Sequence, residues 1–93
     1  MGMTAVLDER RRVVGIFTDG DLRRTLERIS DFQGTRIAEV MTPDPRVIRP
    51  EALAVEAVQL MERHKVNQLL VVDGAHELAG ALNMHDLFRA KVI

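Results

Sequence analysis

The chain has 93 residues, no cysteine, tryptophan or tyrosine, three phenylalanines, and 13 Lys+Arg against 14 Asp+Glu for a formal net charge of −1. That length suits one compact domain or two small units sharing a core. The missing thiols exclude a disulfide scaffold or thiolate zinc site, no apolar run or N-terminal leader suggests a membrane partner, the near-neutral, aromatic-poor composition argues against nucleic acid, and the chemistry fits the cytoplasm.

Thr4 to Asp8 reads as a short apolar strand ended by charged turn residues, and Val13 to Thr18 as its antiparallel partner. The basic run Arg10-Arg11-Arg12 then falls in the hairpin turn, where a charge run is a solvated loop. From Asp19 to Ile29, Leu22, Leu26 and Ile29 fall at i, i+4 and i+7, with Arg23, Arg24, Glu27 and Arg28 on the other face, which predicts an amphipathic helix. Residues 30–34 are a loop, Thr35 is placed to cap a short helix presenting Ile37, Val40 and Met41, and Thr42-Pro43-Asp44-Pro45 stops it. Arg46 to Arg49 reads as a strand. Pro50 and Glu51 suit the first turn of a helix running to about His64, with Leu53, Ala57, Leu60 and Met61 as its stripe. A second hairpin, Leu69 to Asp73 and Leu78 to Asn83, precedes a last helix over Asp86 to Val92.

Part of this order is a repeat. The octet Gly15 to Leu22 returns 65 residues later as Gly80 to Leu87, and the same offset pairs Val6 with Val71, Asp8 with Asp73 and Arg24 with Arg89, giving six identities in the 21 positions from Ala5 to Thr25. Carried backwards, the offset finds no counterpart for the strand and helix between Ile37 and Asn67, so the first copy reads as truncated. A half unit leaves an uncovered face and an exposed sheet edge, which predicts a homodimer or higher oligomer.

In both copies a strand ends at a hydroxyl or amide residue, Thr18 or Asn83, and an aspartate, Asp21 or Asp86, follows three positions later at a helix start. That spacing is close to a capping box, which stabilises a helix by about 0.5–2 kcal/mol. The same helix end also favours a phosphate, and a carboxylate accepts from the two hydroxyls of a ribose. Arg24 and Arg89, three residues after each aspartate, either pair with the carboxylate or reach a phosphate. His85 lies beside Asp86; His64 and His76 sit at a helix end and in a turn, and no two histidines stand at a zinc spacing. No nucleophile and base share a recognisable spacing, so no catalytic residue is assigned.

A unit of strand, helix, strand, strand, helix, with Gly-hydrophobic-x-Thr-x-x-Asp at its last strand-to-helix junction and used twice, resembles the CBS domain pair. Val40-Met41-Thr42-Pro43 and Leu70-Val71-Val72-Asp73 match that family as well. The resemblance implies an α+β fold of small mixed sheets packed by helices, with residues 1–30 as the second half of one CBS unit, 31–36 as a linker and 37–93 as a complete unit. It gives Asp21 and Asp86 a ribose role and Thr18 a phosphate role, while Asn83 departs from the family's Thr or Ser; with Asn83, His85, Arg24, Arg89 and Thr42 these make up the candidate ligand-binding residues. Gly15 to Arg24 with Met84-His85-Asp86-Leu87 further resembles the C-terminal region of bacterial D-arabinose 5-phosphate isomerases, which serve the Kdo branch of lipopolysaccharide synthesis. That implies an upstream isomerase domain, no catalysis by this segment, and an adenine nucleotide or CMP-Kdo as effector. The other reading is an assembly element with no small-molecule ligand.

Overall fold

A computed structural model describes residues 2–85. The last expected helix, with Asp86 and Arg89, lies outside the described residues. The chain divides into two compact α+β units, Met1–Pro45 and Arg46–Ile93. The first holds β1 (Met3–Leu7), β2 (Val13–Thr18), α1 (Asp19–Arg28), α2 (Ile37–Val40) and β3 (Thr42–Pro43). The second holds β4 (Val47–Ile48), α3 (Ala54–His64), β5 (Gln68–Val72) and β6 (Leu78–Asn83).

The two hairpins are the same object at the 65-residue offset. Met3 pairs with Thr18 and Leu7 with Val13 in the first; Gln68 pairs with Asn83 and Val72 with Leu78 in the second. A register shift falls between Val6 and Leu7 in one and between Val71 and Val72 in the other. Each turn is organised by its aspartate. Asp8 Oδ1 accepts from the N–H groups of Arg10 and Arg12, both at 2.9 Å, and Asp73 Oδ1 from those of Ala75 at 2.9 Å and Glu77 at 3.0 Å. Arg11 and His76 then take left-handed φ values of 66° and 65°. The turn residues differ between copies, so the aspartate carries the conformation through its side-chain bonds to the backbone.

The third strand differs. In the second unit β4 joins β5 in parallel, Val47 opposite Leu70 and Ile48 opposite Val71. In the first, β3 joins the other side of the hairpin, antiparallel to β2, with Gly15 opposite Pro43 and Ile16 opposite Thr42. The order β1-β2-β3 leaves β1 at an edge of its sheet. From the sequence, Thr42-Pro43 reads only as a helix stop. An edge position tolerates a proline because no ladder bond from its nitrogen is required.

The second unit's core is Ala57, Val58, Met61 and Leu69, with Ile48, Leu60, Val66, Leu82 and Met84 against it. Helix α3 starts later than expected: Ala52 N–H bonds Arg49 O at 3.1 Å in a turn, and Leu53 is an extended N-cap, 65% exposed rather than part of the buried stripe. The cap of α2 is Arg36, not Thr35, whose hydroxyl donates instead to Asp31 O at 2.8 Å.

Helix α1 forms where the periodicity predicts it, but its apolar side is not its buried side. Leu22 and Leu26 are 38% and 59% exposed, whereas Asp21 and Thr25 are buried. Strand β2 runs into α1 with Thr18 as both last strand residue and N-cap. With no loop between them, the cap fixes the helix rotation, and the third helical residue turns inward.

Candidate functional site

Thr18 stands where the ladder of β2 ends and the free N–H groups of α1 begin, so its hydroxyl has a donor to satisfy. Its Oγ1 accepts from Asp21 N–H at 3.1 Å, and Asp21 Oδ2 accepts from Thr18 N–H at 2.9 Å, which closes a capping box with aspartate in place of glutamate. The Thr18 hydroxyl also donates to Oδ2 at 3.1 Å. On the other oxygen, Oδ1 accepts from Arg24 Nη2 at 2.6 Å, one turn along α1, and from the Thr42 hydroxyl at 3.0 Å on β3. Thr42 is 21 positions away in sequence, and the β2–β3 ladder brings it there.

Burial pushes the Asp21 carboxyl up. The Thr18 N–H, the Arg24 guanidinium and the hydroxyls of Thr42 and Thr18 together outweigh it and hold the group below the usual aspartate value. Asp21 is therefore a buried carboxylate at neutral pH. Thr25, also buried, returns its hydroxyl to Asp21 O at 2.7 Å, so the inward face of α1 is polar but satisfied.

A cleft of about 310 Å³ opens beside this cluster, entirely within the first unit. Asp21, Thr25 and Thr42 line it together with Arg24, Arg28 and Met41. Met41 lies against Gly15, where a side chain on β2 would collide with its sulfur. The arrangement can accept hydroxyl donors at a carboxylate and bind an anion at two guanidiniums on one helix, with the Glu39 carboxylate also on the cleft wall.

Of the residues singled out from the sequence, the fold brings Thr18, Asp21, Arg24 and Thr42 together. Asn83 occupies the end of β6, the position of Thr18 in the second hairpin, and His85 is exposed just beyond it. Asp86 and Arg89 lie outside the described residues. Sequence reasoning did not single out Thr25, Arg28 or Met41 for this cleft; the signal was available in the four-residue steps from Asp21 to Thr25 and from Arg24 to Arg28. Among the described residues, no group of His, Asp or Glu is placed to hold a metal ion, and no helix is long and apolar enough to cross a membrane.

The family model described as CBS domain matches residues 37–93. Over all 93 residues the chain is 52% identical to the arabinose 5-phosphate isomerase KdsD of Pseudomonas aeruginosa, of which it spans 28%. Among solved structures, CBSX2 in complex with AMP superposes with a TM-score of 0.82 at 29% identity, covering 99% of this chain and 72% of that one. The cytosolic domain of the Mg²⁺ channel MgtE in complex with ATP gives 0.81 at 27% identity, covering 95% and 33%.

Proposed function

The chain belongs to the CBS domain family, and on that premise we propose that it is a regulatory module binding an adenine nucleotide or related phosphorylated ligand at the Asp21 cleft. The observation that carries this reading is the convergence of Thr18, Arg24 and Thr42 on the Asp21 carboxylate, beside a cleft that Asp21, Arg24 and Thr42 line. A carboxylate that stays charged while buried suits a pair of ligand hydroxyls, and the guanidiniums of Arg24 and Arg28 suit a phosphate. AMP with CBSX2 and ATP with MgtE supply the nucleotide class. The chain's likeness to KdsD supports a parent protein that isomerises arabinose 5-phosphate, with catalysis outside these residues; a cytoplasmic location and CMP-Kdo as a further effector candidate belong to the same proposal.

The test is a thermal-shift panel of AMP, ATP, CMP-Kdo and arabinose 5-phosphate, read with an extrinsic dye because the chain has no Trp or Tyr. A ligand at 100 times its Kd adds about 2.7 kcal/mol, a rise on the order of 10 °C for a domain of this size. A flat panel on folded protein, or an equal rise in Asp21→Asn, refutes the assignment.

A second reading, an assembly element, draws on the exposed Leu22 and Leu26 of α1 and the edge strand β1. It expects a homodimer or larger oligomer by light scattering at micromolar concentration that dissociates in Leu22→Glu/Leu26→Glu. A wild-type monomer rules it out.

A further inference from the structure

A carboxylate offers about four acceptor positions, and at Asp21 protein donors fill all of them. Oδ2 takes the N–H and hydroxyl of Thr18 at 2.9 and 3.1 Å; Oδ1 takes Arg24 Nη2 at 2.6 Å and the Thr42 hydroxyl at 3.0 Å. A ligand hydroxyl reaches this group only by exchange. The Oδ2 donors both belong to the N-cap residue, fixed by the strand-to-helix junction. The Oδ1 donors are the more accessible pair: the Arg24 side chain is 60% exposed and Thr42 is exposed on a two-residue strand. Exchange therefore falls on Oδ1.

The two sides of that exchange are unequal. Removing Arg24 from Oδ1 breaks a short charge-assisted bond and leaves a guanidinium needing a new acceptor. A neutral diol satisfies Asp21 but gives Arg24 nothing. A ligand carrying both a diol and a phosphate satisfies both groups, and Arg28, four residues along the same helix and also lining the cleft, adds a second guanidinium on that side. Arg28 makes no ion pair among the described residues.

We propose that Arg24 selects phosphorylated ligands: it holds Asp21 Oδ1 until the ligand's hydroxyls replace it there, and then moves onto the ligand's phosphate. The inference rests on the reading of Asp21 as the ligand's hydroxyl acceptor and adds the residue that makes the site discriminate. It also assigns Arg24 two successive partners.

The experiment is calorimetric titration of the whole chain, as wild type, Arg24→Gln and Asp21→Asn, with AMP and with adenosine. Arg24 is exposed enough that glutamine leaves the fold intact, which circular dichroism checks. Wild type is expected to prefer AMP by about 2- to 5-fold, the range of a charge pair at a guanidinium that is 60% exposed. In Arg24→Gln the preference falls to within about 1.5-fold of unity, with adenosine binding more tightly than to wild type because Oδ1 is easier to reach. Equal weakening of both ligands, or an unchanged preference, overturns the exchange while leaving the nucleotide site standing. If Asp21→Asn binds AMP as wild type does, or wild type binds neither molecule, the nucleotide reading fails and the exchange falls with it.

Discussion

Removing the Asp21 carboxylate tests how much of the first unit's stability passes through one side chain. Asp21→Ala deletes the acceptor for four donors, from Thr18 N–H, Thr18 Oγ1, Arg24 Nη2 and Thr42 Oγ1. Loss of the capping interaction is worth about 1 kcal/mol. The Thr42 bond, partly buried, contributes about 1 kcal/mol more. The Arg24 pair adds only a few tenths of a kcal/mol, because the guanidinium is 60% exposed and screened. The expected loss is therefore about 2–3 kcal/mol. Asp21→Asn keeps one acceptor for the Thr18 side and turns an amide toward Arg24, so about 1–2 kcal/mol is expected. Urea unfolding followed by far-UV circular dichroism reads the difference as a midpoint drop of roughly 1–2 M for the alanine variant, given the usual slopes for small proteins. A loss below about 0.5 kcal/mol for alanine would mean that water replaces the carboxylate at these donors, and the account of Asp21 as the tie between α1 and β3 would be wrong.

The same carboxylate sets a pH dependence. Its folded pKa lies below the unfolded value of about 3.9, so its contribution is complete above that value and is lost as pH falls through the folded pKa. Urea midpoints measured from pH 7 down to 2 should show the gap between wild type and Asp21→Asn close only below about pH 4; a gap independent of pH refutes the charge argument. Gly15 and Gly80 are equivalent in the repeat yet should respond oppositely to alanine. A Cβ at Gly15 meets the Met41 sulfur and, at 3.0 Å, Thr42 O, for a loss of about 1–3 kcal/mol. At Gly80 the nearest atom is Val71 Cβ at 4.0 Å, so the change is neutral or stabilising by up to about 1 kcal/mol; calorimetric melting of both variants decides. Lys65 ends α3 with φ 55°. Lys65→Gly removes its left-handed strain and should raise stability by about 0.5–1 kcal/mol in the same assay.

The hairpins and the capping aspartate were legible because each depends on contacts close in sequence. Alternation in Val13 to Thr18, an aspartate at each turn and the spacing from Thr18 to Asp21 determine their own geometry with little outside help. Helix α1 was legible too, but hydrophobic spacing names the apolar side and not which side meets the sheet; the cap at Thr18 decides that, and turns Asp21 and Thr25 inward. The start of α3 was read early because proline and glutamate are equally at home in a first helical turn and in the turn that precedes one. Strand β3 escaped notice because two residues carry no periodicity. Its place depends on a ladder to Gly15 and Ile16, formed across the whole of α1 and α2. The candidate cleft inherits that division: Thr18, Asp21 and Arg24 follow from local spacing, whereas the contact with Thr42 exists only once the chain has returned.

That return makes the portable piece of this module different from its recurring piece. The family match starts at residue 37, but Thr42 and Pro43 lie on the ladder of β2 and Asp44 N–H reaches Val14 O at 3.3 Å. Excision at residue 37 would take the Thr42 hydroxyl from Asp21 and Met41 from its seat on Gly15, and would give the released fragment a strand with no ladder to join. Severing the chain between Pro45 and Arg46 keeps both sheets whole. Grafts, fusions and swaps between members of this family should therefore be joined there, with the opening stretch of one repeat left behind as the closing strand of the unit before it.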